Sequence, residues 1–232
     1  FHSLIKEGTL LVDVGGGSIQ LSLYDKKTLI TTQNIMLGSL RIQEVLQDMQ
    51  YKTDNYQNLV YDYISHGLHT FVQLYLKSRK VKNIIAMGNQ LQSFVKYMTL
   101  HHFGTLKSTD ARYEKRNCVN RSEFDDFYKS ITSKTPDELA KELNTSLDKA
   151  SLLLPIAMIY RNILEETDAW QIWISGMTIC DGMAADFAEK KEKIAPAFNF
   201  TDGIISTARN IAARYNSDEP HHRNVEKNCL LL

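Results

Sequence analysis

Charge of one sign is missing from this sequence. Its 232 residues carry 27 Lys and Arg against 27 Asp and Glu, a formal net charge of zero. That excludes a broadly basic nucleic-acid binder and leaves room only for a local patch. Cysteine is sparse: Cys118, Cys180 and Cys229 lie far apart and form no Cys-x-x-Cys pair. This argues against a disulfide framework and a structural zinc site, and it suits a reducing cytosol. No apolar run approaches the ~18 residues of a membrane span. Internal repeats and low-complexity tracts are absent. An initiator Met and a signal-peptide pattern are missing too, because the chain opens Phe1-His2-Ser3-Leu4. The expectation is a piece cut from a longer protein. What remains is ordinary: 43% hydrophobic and 23% charged residues, enough for a sizeable core in one or two domains.

The apolar pattern changes period along the chain. Residues 9–14 form a short run of β-formers that ends at a glycine cluster, and Ile19, Leu21 and Leu23 alternate after it. Asp25-Lys26-Lys27 signals a turn before another β-rich run, so residues 9–36 predict a three-stranded antiparallel meander. Helical spacing follows over 40–49 and 58–76, then a buried strand over 81–87 that ends at Gly88, then a helix over 90–98. Residues 101–120 read as a strand with loops. A helix over 121–132 has Ser122 as its expected N-cap, and Thr135-Pro136-Asp137-Glu138 is a strong helix start. A helix over 146–164 holds Pro155 and is expected to kink there. A strand over 169–175, a helix over 178–190, a linker at Ala195-Pro196-Ala197 and helices over 201–215 and from Glu219 complete the reading.

The sharpest local feature is Val12-Asp13-Val14-Gly15-Gly16-Gly17-Ser18. A strand delivers an Asp, and three glycines turn the chain into the next strand. Glycine tolerates positive φ and close approach of backbone to a ligand. Successive N–H groups in such a turn make an anion-binding nest, to which Ser18 adds a hydroxyl. Asp13 would sit beside it, placed for a hydrated Mg²⁺ or a water. The same string also serves a tight β-hairpin that needs glycine. It is no Walker loop, since no Gly-Lys-Ser/Thr follows, and no dinucleotide fingerprint, since a strand follows it. Met87-Gly88 and Ser175-Gly176 are two further strand-to-glycine junctions, and together the three suit a cleft at one edge of a sheet.

Residues 11–21, Leu-Val-Asp-Val-Gly-Gly-Gly-Ser-Ile-Gln-Leu, resemble the DIGGGSTEL motif of the Ppx/GppA phosphatases, which are exopolyphosphatases and guanosine pentaphosphate phosphohydrolases. Further segments resemble the family in order: Leu37-Gly38-Ser39-Leu40-Arg41, Ile85-Ala86-Met87-Gly88-Asn89, the Leu154-Pro155 region, Ile174-Ser175-Gly176 through Asp181-Gly182-Met183, and Ala208 to Tyr215 with His221 and Val225. The resemblance implies an α/β, ribonuclease H-like (actin/sugar kinase-like) lobe with a mixed sheet flanked by helices, followed by a truncated α-helical segment. Residues 1–196 would be the second actin-like lobe and 197–232 the start of an HD-like helical domain. The implied activity is release of terminal phosphate from inorganic polyphosphate or pppGpp, in the cytoplasm, with Mg²⁺ or another divalent cation. Asp13 would be catalytic, Gly15, Gly16, Gly17, Ser18, Gly88 and Arg41 would bind phosphate, and Asp13 with Gln20 would hold metal. The family's first lobe carries the general base, so this piece alone is expected to be poor or inactive. A homodimer is implied for the longer protein; no nucleic-acid or membrane partner is.

Three departures accompany the resemblance. Gln20 stands where the family has Glu, the second loop reads Gly88-Asn89-Gln90, and Cys180 with Asp181 replaces an Arg-Glu pair. They keep a second reading open, a polyphosphate or (p)ppGpp binding module that does not hydrolyse. A third, a sugar kinase lobe, is disfavoured by the HD-like start. Other features carry less. His66 and His69 lack an evident third ligand and read as surface or packing residues. His101-His102 and His221-His222 are neighbours that point apart. Trp170 and Trp173 would face opposite sides of a strand, and Cys229-Leu230-Leu231-Leu232 matches a prenylation box only by the accident of where the chain stops.

Overall fold

The computed structural model describes residues 4–50, 55–88, 91–103, 105–107, 116–192, 200–229 and 231. Strands β1 (Thr9–Val14), β2 (Ile19–Asp25) and β3 (Thr28–Ile35) form the expected antiparallel meander. Ile19, Leu21 and Leu23 are buried and their alternates are not, as a half-covered strand requires. The β2–β3 turn places Lys26 and Lys27 at φ of 48° and 67°. That is the positive-φ pair of a type I′ hairpin, matched to strand twist, here held by residues that seldom adopt it.

Four more strands extend the sheet beyond β1. β4 (Asn83–Met87) lies parallel to β1, and β7 (Gln171–Ile174) parallel to β4. β6 (Arg116–Asn120) and β5 (Thr105–Lys107) continue antiparallel, giving seven strands in the order β3-β2-β1-β4-β7-β6-β5. The central strands are almost wholly apolar on one face: Leu10, Val12, Val14, Ile84, Ala86, Ile172 and Ile174 all belong to the main core.

Helices α1 (Ser39–Gln50), α2 (Tyr56–Phe71), α3 (Leu91–Leu100), α4 (Arg121–Thr132), α5 (Pro136–Glu142), α6 (Leu147–Ser151) and α7 (Leu153–Glu165) contribute the rest of that core. α2 runs on into a π-helical turn, Val72–Leu76. α7 is the spine: ten of its residues are buried, and only Leu154, Arg161 and Glu165, on one face, are not. Phe94, Phe124 and Phe127 pack beside it, with the Phe94 and Phe127 rings edge to face at 4.7 Å. α8 (Ile179–Glu192), α9 (Phe200–Arg214) and α10 (Glu219–Cys229) follow. α9 packs on β3, where Asn210 Nδ2 donates to the Ile30 carbonyl at 3.0 Å.

Two expectations are corrected. The N-cap of α4 is Asn120, not Ser122: Asn120 Oδ1 accepts from the Glu123 N–H and Glu123 Oε2 accepts from the Asn120 N–H, each at 2.9 Å. Ser122 thereby falls inside the first turn. Pro155 does not kink a long helix. Residues 146–164 divide at Leu152 into α6 and α7, and Pro155 lies in the first turn of α7, where its missing N–H forfeits no intrahelical bond. The start at Thr135 is as expected, a capping box with Glu138. Asn89, Gln90, residues 108–115 and the linker at Ala195–Ala197 lie outside the described residues.

Candidate functional site

β1 carries Asp13 to the end of the sheet. Val12 and Val14 on either side point into the core, so Asp13 is turned to the opposite face and is exposed. Its register partners are Gln20 on β2 and Met87 on β4. Beyond Val14 the chain turns at once, with the Gly15 N–H donating to the Ser18 carbonyl at 2.9 Å.

Two carbonyls of this turn, those of Gly15 and Gly16, are spent on α1. Ser39 N–H donates to Gly15 O at 2.9 Å, and the Leu40 and Arg41 N–H groups donate to Gly16 O at 3.0 and 3.4 Å. Ser39 Oγ adds a bond to Gly15 O at 3.3 Å. Three N–H groups that a helix N-terminus leaves without partners are thus satisfied by the loop. The N–H groups of Gly16, Gly17 and Ser18 find no acceptor among the described residues. An anion at this turn would therefore meet the loop's own amides; those at the start of α1 are already engaged.

Close approach, not positive φ, explains Gly15, Gly16 and Gly38; nothing in the structure explains Gly17. Gly15, Gly16 and Gly17 are absent from the positive-φ residues, which include Gly88 at 109° and Gly176 at 63°. A Cβ on Gly38 would stand 2.1 Å from Gly16 O, and one on Gly16 would stand 2.9 Å from Leu40 Cδ1. Gly17 has nothing within 4 Å. Gly38, part of the Leu37–Arg41 segment, is not among the residues expected at the site, although it stands immediately before a helix start. Gly88 closes the other flank: a Cβ there would lie 2.7 Å from Asp13 Oδ1 and 2.9 Å from Val14 O.

The structure therefore brings Asp13, Gly15 to Ser18, Gln20 and Gly88 together. Arg41 enters by its backbone, while its side chain is exposed and forms no ion pair among the described residues. Gly176 lies beyond β7, whose extension donates from Ser175 N–H to Ala86 O at 3.0 Å. Asp181 is engaged as a cap for α8: its carboxylate accepts from the Thr178 hydroxyl and N–H, each at 2.7 Å, and these bonds hold it below the usual carboxylate range. A second residue missed from sequence is Tyr160. Its fully buried hydroxyl donates to Val12 O at 3.2 Å, and burial, then the charge of Asp13, push its pKa up. Among the described residues no group of three His, Cys, Asp or Glu side chains gathers to hold a metal.

The fold is a ribonuclease H-like, actin-type lobe, a mixed sheet with helices on its faces and a strand-end cleft. Among solved structures that lobe is similar to Ppx/GppA proteins. No family model and no curated protein matches the sequence. An exopolyphosphatase from Cytophaga hutchinsonii aligns with a TM-score of 0.62 at 12% identity, covering 79% of this chain and 58% of that one. The type II variant of the Aquifex aeolicus Ppx/GppA phosphatase aligns with a TM-score of 0.58 at 13% identity, covering 76% and 56%. The chain thus spans a little over half the length of these proteins. At such identities the likeness establishes a shared fold.

Proposed function

We propose that this chain is part of a Ppx/GppA-type phosphoanhydride hydrolase, with residues 1–196 as its second actin-like lobe and 197–232 opening an HD-like helical domain. The observation that carries the reading is the set of unspent N–H groups at Gly16, Gly17 and Ser18, flanked by Asp13 and Gly88. Such a cradle fits phosphoryl oxygens. The exopolyphosphatase among the similar structures supports the same class. The substrate is inorganic polyphosphate or pppGpp, and the setting is cytoplasmic. Dimerisation belongs to the longer protein.

One exposed carboxylate with a facing amide, Asp13 and Gln20, fits a hydrated Mg²⁺, which takes one or two carboxylates and completes its shell with water and phosphate oxygens. When bound, the ion neutralises charge on the leaving phosphate. The turn amides and Ser18 Oγ hold the terminal phosphoryl group in place for in-line attack by water, and Arg41 is assigned an outer phosphate contact. The general base lies on a facing lobe, so this chain by itself binds better than it hydrolyses.

Titration calorimetry with tripolyphosphate, with and without Mg²⁺, tests the site. Mg²⁺-dependent binding that disappears in Asp13→Ala and Gly16→Val supports it; binding undiminished in both overturns it. Gln20 favours the second reading, a module that binds without hydrolysing, because a neutral amide organises a metal less well than a carboxylate. In the two-lobe protein, Gln20→Glu raises turnover without changing binding if the enzyme has decayed. It changes neither if position 20 holds no metal.

A further inference from the structure

The end of the sheet opposite the phosphate turn is strongly basic. Three segments meet there: the 3₁₀ turn Leu4–Lys6 leads into β1, the Lys26-Lys27 turn joins β2 to β3, and residues 77–82 lead into β4. Backbone bonds tie them together. The Lys27 N–H donates to Ile5 O at 2.9 Å, and the Lys82 N–H to Gly8 O at 2.8 Å. Residues 4–8, 25–28 and 77–82 carry seven of the 27 Lys and Arg but two of the 27 Asp and Glu. The rest of the chain holds 20 against 25, so the neutral whole divides into a patch of formal charge +5 and a remainder of −5. Glu7 is spent on Lys82, whose Nζ lies 3.2 Å from its carboxylate, and Arg79 donates to Tyr75 O at 3.2 Å. Lys6, Lys26, Lys27, Lys77 and Lys80 are exposed, and their ammonium groups form no hydrogen bond or ion pair among the described residues.

Like charges gathered at one end repel, and a bound polyanion relieves that repulsion. Adjacent strands lie ~4.8 Å apart, so the row from β3 across β2 and β1 to β4 runs about 15 Å. A nucleic-acid duplex carries one phosphate charge per ~1.7 Å of axis, about nine over that length against the five free lysines. The side chains suit a backbone rather than bases. Six of the seven cations are lysine, a hydrated point charge without the bidentate fork of arginine. None of the exposed large apolar side chains lies in these segments, so they offer neither a ring to stack a base nor an anchor to enter a bilayer. We propose that this end of the sheet docks the phosphodiester backbone of a nucleic-acid duplex without reading its sequence. β1 is six residues long, so the patch stands about 20 Å from the Gly15–Ser18 turn and does not draw on it.

Fluorescence anisotropy of labelled ~20-base-pair duplexes, titrated with the 232-residue chain, tests this. DNA and RNA of one sequence are compared, and the better bound identifies the source. Saturable binding is expected with a Kd below about 100 μM at about 50 mM NaCl. The logarithm of the binding constant should fall with the logarithm of salt at a slope of about −4.5, as five phosphate contacts require. Lys26→Asn with Lys27→Gly removes two charges and installs the Asn-Gly pair that a type I′ turn prefers, so folding is not put at risk. It should reduce the slope by about 2 and weaken binding at least ~10-fold. Lys141→Gln with Lys149→Gln removes two exposed charges on α5 and α6 and should leave slope and affinity at the wild-type level. Mg²⁺-dependent tripolyphosphate binding should be unchanged in both, which separates failure here from failure of the phosphate site. The proposal is overturned if neither duplex binds saturably, if the turn variant binds as the wild type does, or if the α5–α6 variant weakens binding equally. Tighter binding to phosphatidylserine vesicles than to either duplex at the same salt also overturns it, in favour of a membrane surface.

Discussion

The turn after β1 and the turn after β7 stand at the same end of the sheet, and both leave a strand through glycine. The first is built. Gly15 and Gly16 are clasped by the start of α1, Gly38 presses on Gly16, and the loop carbonyls cap a helix. The second is open. Gly176 adopts φ of 63° with nothing within 4 Å of an added Cβ, and it leads into α8, which is exposed along nearly its whole length. Ile179, Met183 and Phe187 on that helix are each at least two-thirds exposed. Two glycine-bearing turns thus differ in physical cause: one needs the absence of Cβ because backbone presses on backbone, the other because of φ.

Four substitutions or titrations break or sharpen that contrast, from largest effect to smallest. Gly38→Ala must displace the Gly16 peptide, so urea unfolding should show a loss of about 2–4 kcal/mol together with loss of tripolyphosphate binding. A variant with wild-type stability would mean the clasp is not rigid. Gly176→Ala meets no neighbour and suffers only from its φ, so it should lose about 1–2 kcal/mol and leave tripolyphosphate affinity intact.

A third measurement concerns a region remote from both turns. Lys134 Nζ donates to both Glu142 carboxylate oxygens at 2.9 and 2.7 Å and to the Tyr97 hydroxyl at 3.0 Å, tying α5 to α3. The hydrogen bond from Lys134 holds Glu142 below the usual glutamate range. A depressed carboxyl stabilises the fold above its unfolded pKa, and that contribution is lost as pH falls through the folded value. Glu142→Gln should therefore flatten the acid limb of the stability curve while leaving the amide shifts of both turns unchanged. The smallest effect belongs to Gly182→Ala in α8. With open space around it and no positive φ, it should gain about 0.5–1 kcal/mol of helix stability, visible as a small rise in Tm. A loss there would show that α8 packs against something in solution.

Much of the lobe was legible in advance because its signals are local. The meander follows from alternation at Ile19, Leu21 and Leu23 and from a turn at Asp25-Lys26-Lys27. The capping box at Thr135 follows from its spacing alone. Where the reading slipped, two local signals competed. Asn120 and Ser122 both suit an N-cap, and the choice depends on where Glu123 can reach. Pro155 looks like a kink until the chain is seen to break three residues earlier.

The candidate site divides along the same line. Asp13, the triple glycine and Gly88 could be named from a strand followed by glycine, because such turns are written in consecutive residues. That Gly38 braces the loop and that Tyr160 bonds the back of β1 could not, since their partners lie 22 and 148 residues away in the chain. The strand pattern and its glycines were determined by the sequence itself, through local sterics and a two-residue period. Which carbonyls the loop gives to α1 and which N–H groups it keeps were decided only by tertiary structure. Those depend on backbone surfaces meeting across long stretches of chain, and no local pattern encodes that contact.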